Sequence, residues 1–130
     1  MAKPIKCITV EKARELQNVW KKSRGKEIER AQNYVDTREF LYSVEELQEY
    51  LDYVREMSAD QGITNPGIRI YFAAYPGAAS KKSYSTVFLS ATNTLSSEEN
   101  SEESAEETVE NNYSIDPLNH SSGGIPPVDY

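Results

Sequence analysis

The stretch SVEELQEYLDYVREMSADQGITNPGIRIYF, residues 43–72, carries a helix, its stop signal, a turn and the start of a strand. Ser43 followed three residues later by Glu46 is a capping box, in which each side chain accepts from the other residue's backbone amide. Val44, Leu47, Leu51 and Val54 then recur at spacings of three and four, flanked by Tyr50 and Met57, while Glu45, Glu49, Asp52, Arg55 and Glu56 take the opposite side. That periodicity predicts an amphipathic helix. Gly62 supplies the left-handed residue that ends it, and Asn65, Pro66 and Gly67 mark the turn that follows. Ile68, Ile70 and Phe72 alternate with Arg69, Tyr71 and Ala73, the period of a strand.

Working outward, a loop over 76–82 leads to a second alternating segment, 84–91, with Val87 and Leu89 on one face, so the two strands predict an antiparallel hairpin. Upstream, 37–42 is short and rich in aromatic and β-branched residues, with Phe40 and Tyr42 on one face and Leu41 on the other; it predicts a third strand. Thr9 is a candidate N-cap for a first helix whose apolar face is Ala13, Leu16 and Trp20, with Val19 beside them. Arg24 and Gly25 interrupt that helix, and 26–34 either continues it past the glycine or forms a separate one. The expected fold is α+β: a small two-layer domain of two or three helices on a short three-stranded sheet with a C-terminal antiparallel hairpin, plus a disordered acidic tail.

Charge divides the 130-residue chain. All 14 Lys and Arg residues lie at or before Lys82; with twelve Asp and Glu up to residue 93, the head (1–93) carries +2 and the remainder −9. From 94 to 112 the composition is Ser, Glu and Asn with almost no apolar residue, too little to offset ordering entropy, so this stretch is expected to be a disordered acidic linker. A helix started by Ser104 and Glu107 is the rival, opposed by seven glutamates with no cationic partner. Residues 113–130 regain apolar character at Tyr113, Ile115 and Leu118 and close on a glycine pair and IPPVDY, a separate segment suited to docking. A flexible spacer of the linker's length reaches roughly 25 Å.

Several classes are excluded. No apolar run approaches the ~20 residues of a membrane span, and the N-terminus lacks a signal-peptide core, so a cytoplasmic protein is expected, with no membrane partner. Cys7 is the single cysteine: it cannot form an internal disulfide, no histidine of the head can serve as its base, and Ile5 and Ile8 beside it suggest an ordinary buried position. His120 offers one ligand where a stable metal site needs three or four. Glu45, Glu46 and Glu49 share a helical turn but face solvent or serve the cap. No catalytic set, metal site or cofactor is expected.

Two surfaces remain. Arg69, Tyr71 and Tyr75 share a strand face, and with Tyr84 form a candidate protein-binding surface, although tyrosines equally line small cores with the hydroxyl wet. Ile125, Pro126, Pro127 and Tyr130 form a candidate peptide ligand, docking on its own head, for example on the Tyr71 face, or on another protein. The alternative is a nucleic-acid surface: Trp20, Lys21, Lys22, Arg24 and Lys26 place an aromatic among four cations, able to stack on a base and contact phosphates. Trp20 also continues the apolar face of the first helix, and the acidic tail disfavours nucleic acid. The expected function is a non-enzymatic interaction module with another protein as partner; the alternative is a nucleic-acid-associated regulator autoinhibited by its acidic tail.

Segments 36–51 (DTREFLYSVEELQEYL) and 65–76 (NPGIRIYFAAYP), with the PLN of 117–119 and the GGIPP of 123–127, resemble a family of small uncharacterised bacterial proteins. The resemblance implies a bacterial context and a terminal peptide that belongs with the head. It carries over no catalytic or ligand residue.

Overall fold

A computed structural model describes residues 1–95, 108–125 and 127–130. The chain is α+β and divides into two compact units, Phe40–Ser122 and Met1–Glu39 with Gly123–Tyr130.

The Phe40–Ser122 unit is built on helix α3 (Val44–Asp60) and the hairpin β2 (Pro66–Ala74) and β3 (Ser85–Thr94). The Ser43 hydroxyl accepts from the Glu46 amide at 3.0 Å and the Glu46 carboxylate from the Ser43 amide at 3.2 Å, the reciprocal cap expected from the sequence. The helix ends at Gly62, whose φ of +73° is the left-handed conformation glycine adopts without a Cβ penalty. Its core face is Leu47, Tyr50, Leu51, Val54, Met57 and Ser58; Val44, expected on it, stands in solvent.

In the hairpin Ile68 pairs with Ala91, Ile70 with Leu89 and Phe72 with Val87, so these residues share one face. On that face Leu89 and Ala91 are buried with Tyr50, Val54 and Ile115, and Tyr42, Leu47, Met57, Ile68 and Leu118 pack around them. Each large side chain so buried contributes about 1.5–3 kcal/mol. Ile70 and Phe72 on β2 remain 65% and 87% exposed.

The third strand expected from 37–42 does not join the hairpin, whose sheet is two-stranded. The 37–42 segment forms only Phe40–Leu41 (β1), which pairs in a separate two-stranded sheet with Ser122–Gly123 (β4) and not with the hairpin. Its start is turned by a local bond: buried Asp36 accepts from the Thr37 amide through its own carboxylate at 2.8 Å, which competes with a ladder bond. The free edge of β3 is taken by residues 110–118. Leu118 and Leu89 exchange both backbone bonds at 2.8 Å, Asn112 donates to Ala91 at 2.9 Å, and Asn93 donates to Glu110 at 2.9 Å. Of the stretch 94–112 expected to be disordered, Thr94 ends β3, Leu95 bonds Asn65 and Val109, Asn111 and Asn112 lie on the hairpin; 96–107 lies outside the described residues.

In the other unit, α1 (Val10–Trp20), a π-helical turn (Lys21–Gly25) and α2 (Lys26–Gln32) run on without a break. The helix therefore continues past Gly25, through one widened turn. Thr9 caps it, accepting from the Lys12 amide at 3.0 Å. No residue of these helices is buried, and Leu16 and Val19, expected to face a core, are exposed. Cys7, expected to be buried with Ile5 and Ile8, is exposed as they are. No helix among the described residues is long and apolar enough to cross a membrane.

Candidate functional site

The aromatic strand face is occupied by the protein's own chain. The Tyr71 ring stacks on Phe88 at 5.1 Å, and the Tyr71 hydroxyl accepts from the Asn111 amide at 2.7 Å. That bond, with the Arg69 charge nearby, draws the Tyr71 phenol below its ordinary value. Arg69 donates to the Asn111 side-chain oxygen at 2.7 Å and to the Val109 carbonyl at 2.9 Å. The Tyr75 hydroxyl donates to the Asn119 side-chain oxygen at 2.9 Å, and Tyr84 is half-buried, its carbonyl accepting from the Tyr75 amide. Arg69, Tyr71 and Tyr75 thus hold segment 109–119 in place.

Two further tyrosines complete that arrangement. The Tyr50 hydroxyl shares its proton between the Leu89 and Asp116 carbonyls, at 3.2 and 3.0 Å, and burial raises its pKa. Tyr42 donates to the Asn119 carbonyl at 2.8 Å.

The second group of sequence-singled residues gathers on the helical unit. A cleft of about 410 Å³ is lined by Trp20, Lys21, Lys22, Gly25, Lys26, Glu29, Val35, Asp36 and Arg38. Helical spacing places Trp20 one turn from Gly25, where a Cβ would meet the indole at 3.1 Å; glycine lets the ring lie against that turn. Arg24 does not line the cleft and donates to the Ser23 hydroxyl at 3.2 Å.

The C-terminal peptide closes on this unit. Asp129 bridges two cations of the cleft, accepting from Lys21 Nζ at 2.5 Å and from Arg38 Nη1 at 2.6 Å. The Lys21 bond, reinforced by the charges of Lys21 and Arg38, holds the Asp129 carboxyl below its usual range. Tyr130 is fixed by both ends of its neighbourhood: its amide donates to Gln17 Oε1 at 2.8 Å, its backbone oxygen accepts from Arg14 Nε at 3.3 Å, and the Arg14 guanidinium lies 6.0 Å from its ring centroid. Pro127 is half-buried, Ile125 is exposed, and Pro126 lies outside the described residues. Close approach is needed just before the peptide, where a Cβ on Gly123 would stand 3.2 Å from Thr37 Cγ2.

Arg14, Gln17, Arg38 and Asp129 are the participants that sequence reasoning missed. Arg38 sits inside a segment read as strand, and Asp129 beside apolar residues that drew attention to the peptide's greasy character. The usable signal was the charge division itself, since a lone aspartate at 129 follows a long anion-free run. Elsewhere, Glu45, Glu49, Asp52 and Glu56 line a shallow depression on α3. Among the described residues no group of three or more His, Cys, Asp or Glu is placed to hold a metal. No protein-family model, no curated protein and no solved structure matches the chain.

Proposed function

We propose that this chain is a non-enzymatic interaction module, cytoplasmic and bacterial, whose helical unit recognises a short acidic–aromatic peptide and whose own residues 127–130 occupy that surface in cis. The carrying observation is the Asp129 carboxylate set between Lys21 and Arg38 while Arg14 and Gln17 hold Tyr130. The Asp129 carboxylate stands half exposed, and ion pairs open to water on one side are individually weak and exchange readily. A segment in another protein with an aspartate before an aromatic residue would therefore compete on equal terms, helped only by its own concentration against that of the tethered peptide.

The test is capture of a labelled GGIPPVDY peptide by the full chain. Wild-type protein, with its site filled, is expected to bind weakly; Asp129→Asn in the chain is expected to bind more tightly, and Lys21→Glu with Arg38→Glu not at all. Equal capture by all three sinks the reading. A partner screen that removes the peptide should cut after Ser122, because an earlier cut would take Ile115 and Leu118 out of the apolar core.

A nucleic-acid role has one observation in its favour: Trp20, Lys21, Lys22 and Lys26 line one cleft with Arg38. It requires oligonucleotide binding that weakens steeply with salt and strengthens in Asp129→Asn.

A further inference from the structure

The cleft on the helical unit has more cationic reach than Asp129 uses. Lys21, Lys22, Lys26 and Arg38 line it against Glu29 and Asp36, so the lining carries +2, reduced to +1 by the Asp129 carboxylate at its rim. Arg38 is the telling residue. Its side chain is only 16% exposed, Nη1 donates to Asp129, and Nε is buried without a hydrogen-bond partner. A buried donor left without an acceptor is unfavourable, and a guanidinium presents its N–H groups as a fork that one carboxylate oxygen does not fill.

A tetrahedral anion with three terminal oxygens offers acceptors to Arg38 Nε and to the Lys21 ammonium together, and its two negative charges match the lining once Asp129 has left. Lys22 adds a further cation, and Lys26 is drawn only loosely to Glu29, at 3.8 Å. Trp20 supplies an aromatic wall beside these cations, and about 410 Å³ is within the range of small-molecule sites.

The geometry points to a phosphomonoester site: a small molecule carrying a terminal phosphate and an aromatic or heterocyclic ring binds Lys21 and Arg38, sets its ring against Trp20, and displaces Asp129. Its consequence, release of residues 127–130 for capture by a partner, rests on the cis-docking reading above; the binding itself does not.

Trp20 is the single tryptophan of the chain, so its fluorescence reports on the cleft in the full-length protein. Titration with inorganic phosphate and with adenosine 5′-monophosphate, at constant ionic strength held by chloride, is expected to give saturable changes. The nucleotide should bind at least about fivefold tighter, through stacking. Asp129→Asn should tighten both by roughly two- to fivefold, having removed a competing exposed ion pair. Arg38→Gln should abolish the saturable response; Lys21→Gln, a more exposed position and safer for folding, should weaken it roughly tenfold.

A response no different from chloride alone, or affinities unchanged in both cation variants, overturns the site. An unphosphorylated oligonucleotide that binds as tightly as the mononucleotide overturns the ligand class in favour of a nucleic-acid strand. Saturable nucleotide binding that leaves GGIPPVDY capture by the wild-type chain unchanged overturns the release step alone. If Asp129→Asn binds the nucleotide more tightly but captures no peptide, the peptide reading fails and the phosphate site stands.

Discussion

The two units of this chain are held together by different physics. Every buried apolar residue among those described belongs to Phe40–Ser122: Tyr50, Val54, Val87, Leu89, Ala91 and Ile115. Among its described residues the helical unit buries only Asp36 and Thr37, both polar; by sequence it carries ten cations against seven anions, whereas the other carries four against fourteen. The C-terminal end of the chain, from Glu110 onward, serves both. Residues 110–119 bring apolar side chains and backbone pairing to the hairpin; 127–130 bring a carboxylate and a phenol to a basic helix. Hydrophobic burial is not screened by salt, while exposed ion pairs are screened by it and are lost once the carboxylate is protonated. On the function proposed above, one tail contains a permanent structural element and a releasable one.

The contrast breaks most visibly at Ile115. It is 3% exposed in the core cluster, so Ile115→Ala is expected to cost about 2–4 kcal/mol of the stability of the Phe40–Ser122 unit, read by urea unfolding. A cost near zero would mean that 110–119 is only laid on the surface.

Tyr50→Phe comes next. It removes the hydroxyl shared by Leu89 and Asp116 and leaves the ring in place, for an expected loss of about 1–2 kcal/mol. Because burial raises the Tyr50 pKa, its contribution is complete below pH 10 and is lost as pH rises through the raised value. Wild-type protein should accordingly weaken in alkali, and Tyr50→Phe should lose part of that alkaline slope.

The smallest effect on global stability is expected from Asp129→Asn, which should leave urea unfolding of the Phe40–Ser122 unit unchanged while freeing 127–130, seen as sharpened, random-coil amide resonances. Acid offers the same test without mutation. The Asp129 pKa is lowered, so docking is fully supported above the ordinary carboxyl value of 3.8 and is lost as pH falls through the depressed one. Release at pH 5 to 6 would point to another group.

Local rules were legible in the sequence wherever the signal was local. The Ser43–Glu46 cap, the Thr9 cap, the Gly62 stop and the hairpin alternation each depend on residues within a few positions of one another, and each is present in the fold. The failures are all questions of partner. Phe40–Leu41 looks like a strand of the main sheet because composition does not state which edge is free, and the free edge of β3 is met by residues about seventy positions after Phe40. Asn111 and Asn112 read as spacer because polar residues near glutamates suggest solvation; here Asn111 joins Arg69 to Tyr71, and Asn112 donates to Gln61 while accepting from Ser114. Leu16 and Val19 obey helical spacing yet face solvent, since periodicity marks an apolar stripe without naming what covers it. In the candidate site the cations of 20–26 were visible as a cluster. Arg38, which lines the same cleft, and Asp129, which pairs with Lys21 and Arg38, are brought to it only by the fold.

The most direct test is a salt titration of the full chain followed by amide resonances of two groups at once, residues 111–118 and residues 127–130. Between low salt and about 1 M, where the screening length falls to about 3 Å, the signals of Val128, Asp129 and Tyr130 are expected to move to random-coil positions while those of Asn112, Ile115 and Leu118 stay fixed. Loss of both groups together, or retention of both, would contradict a tail divided between an apolar anchor and an electrostatic latch.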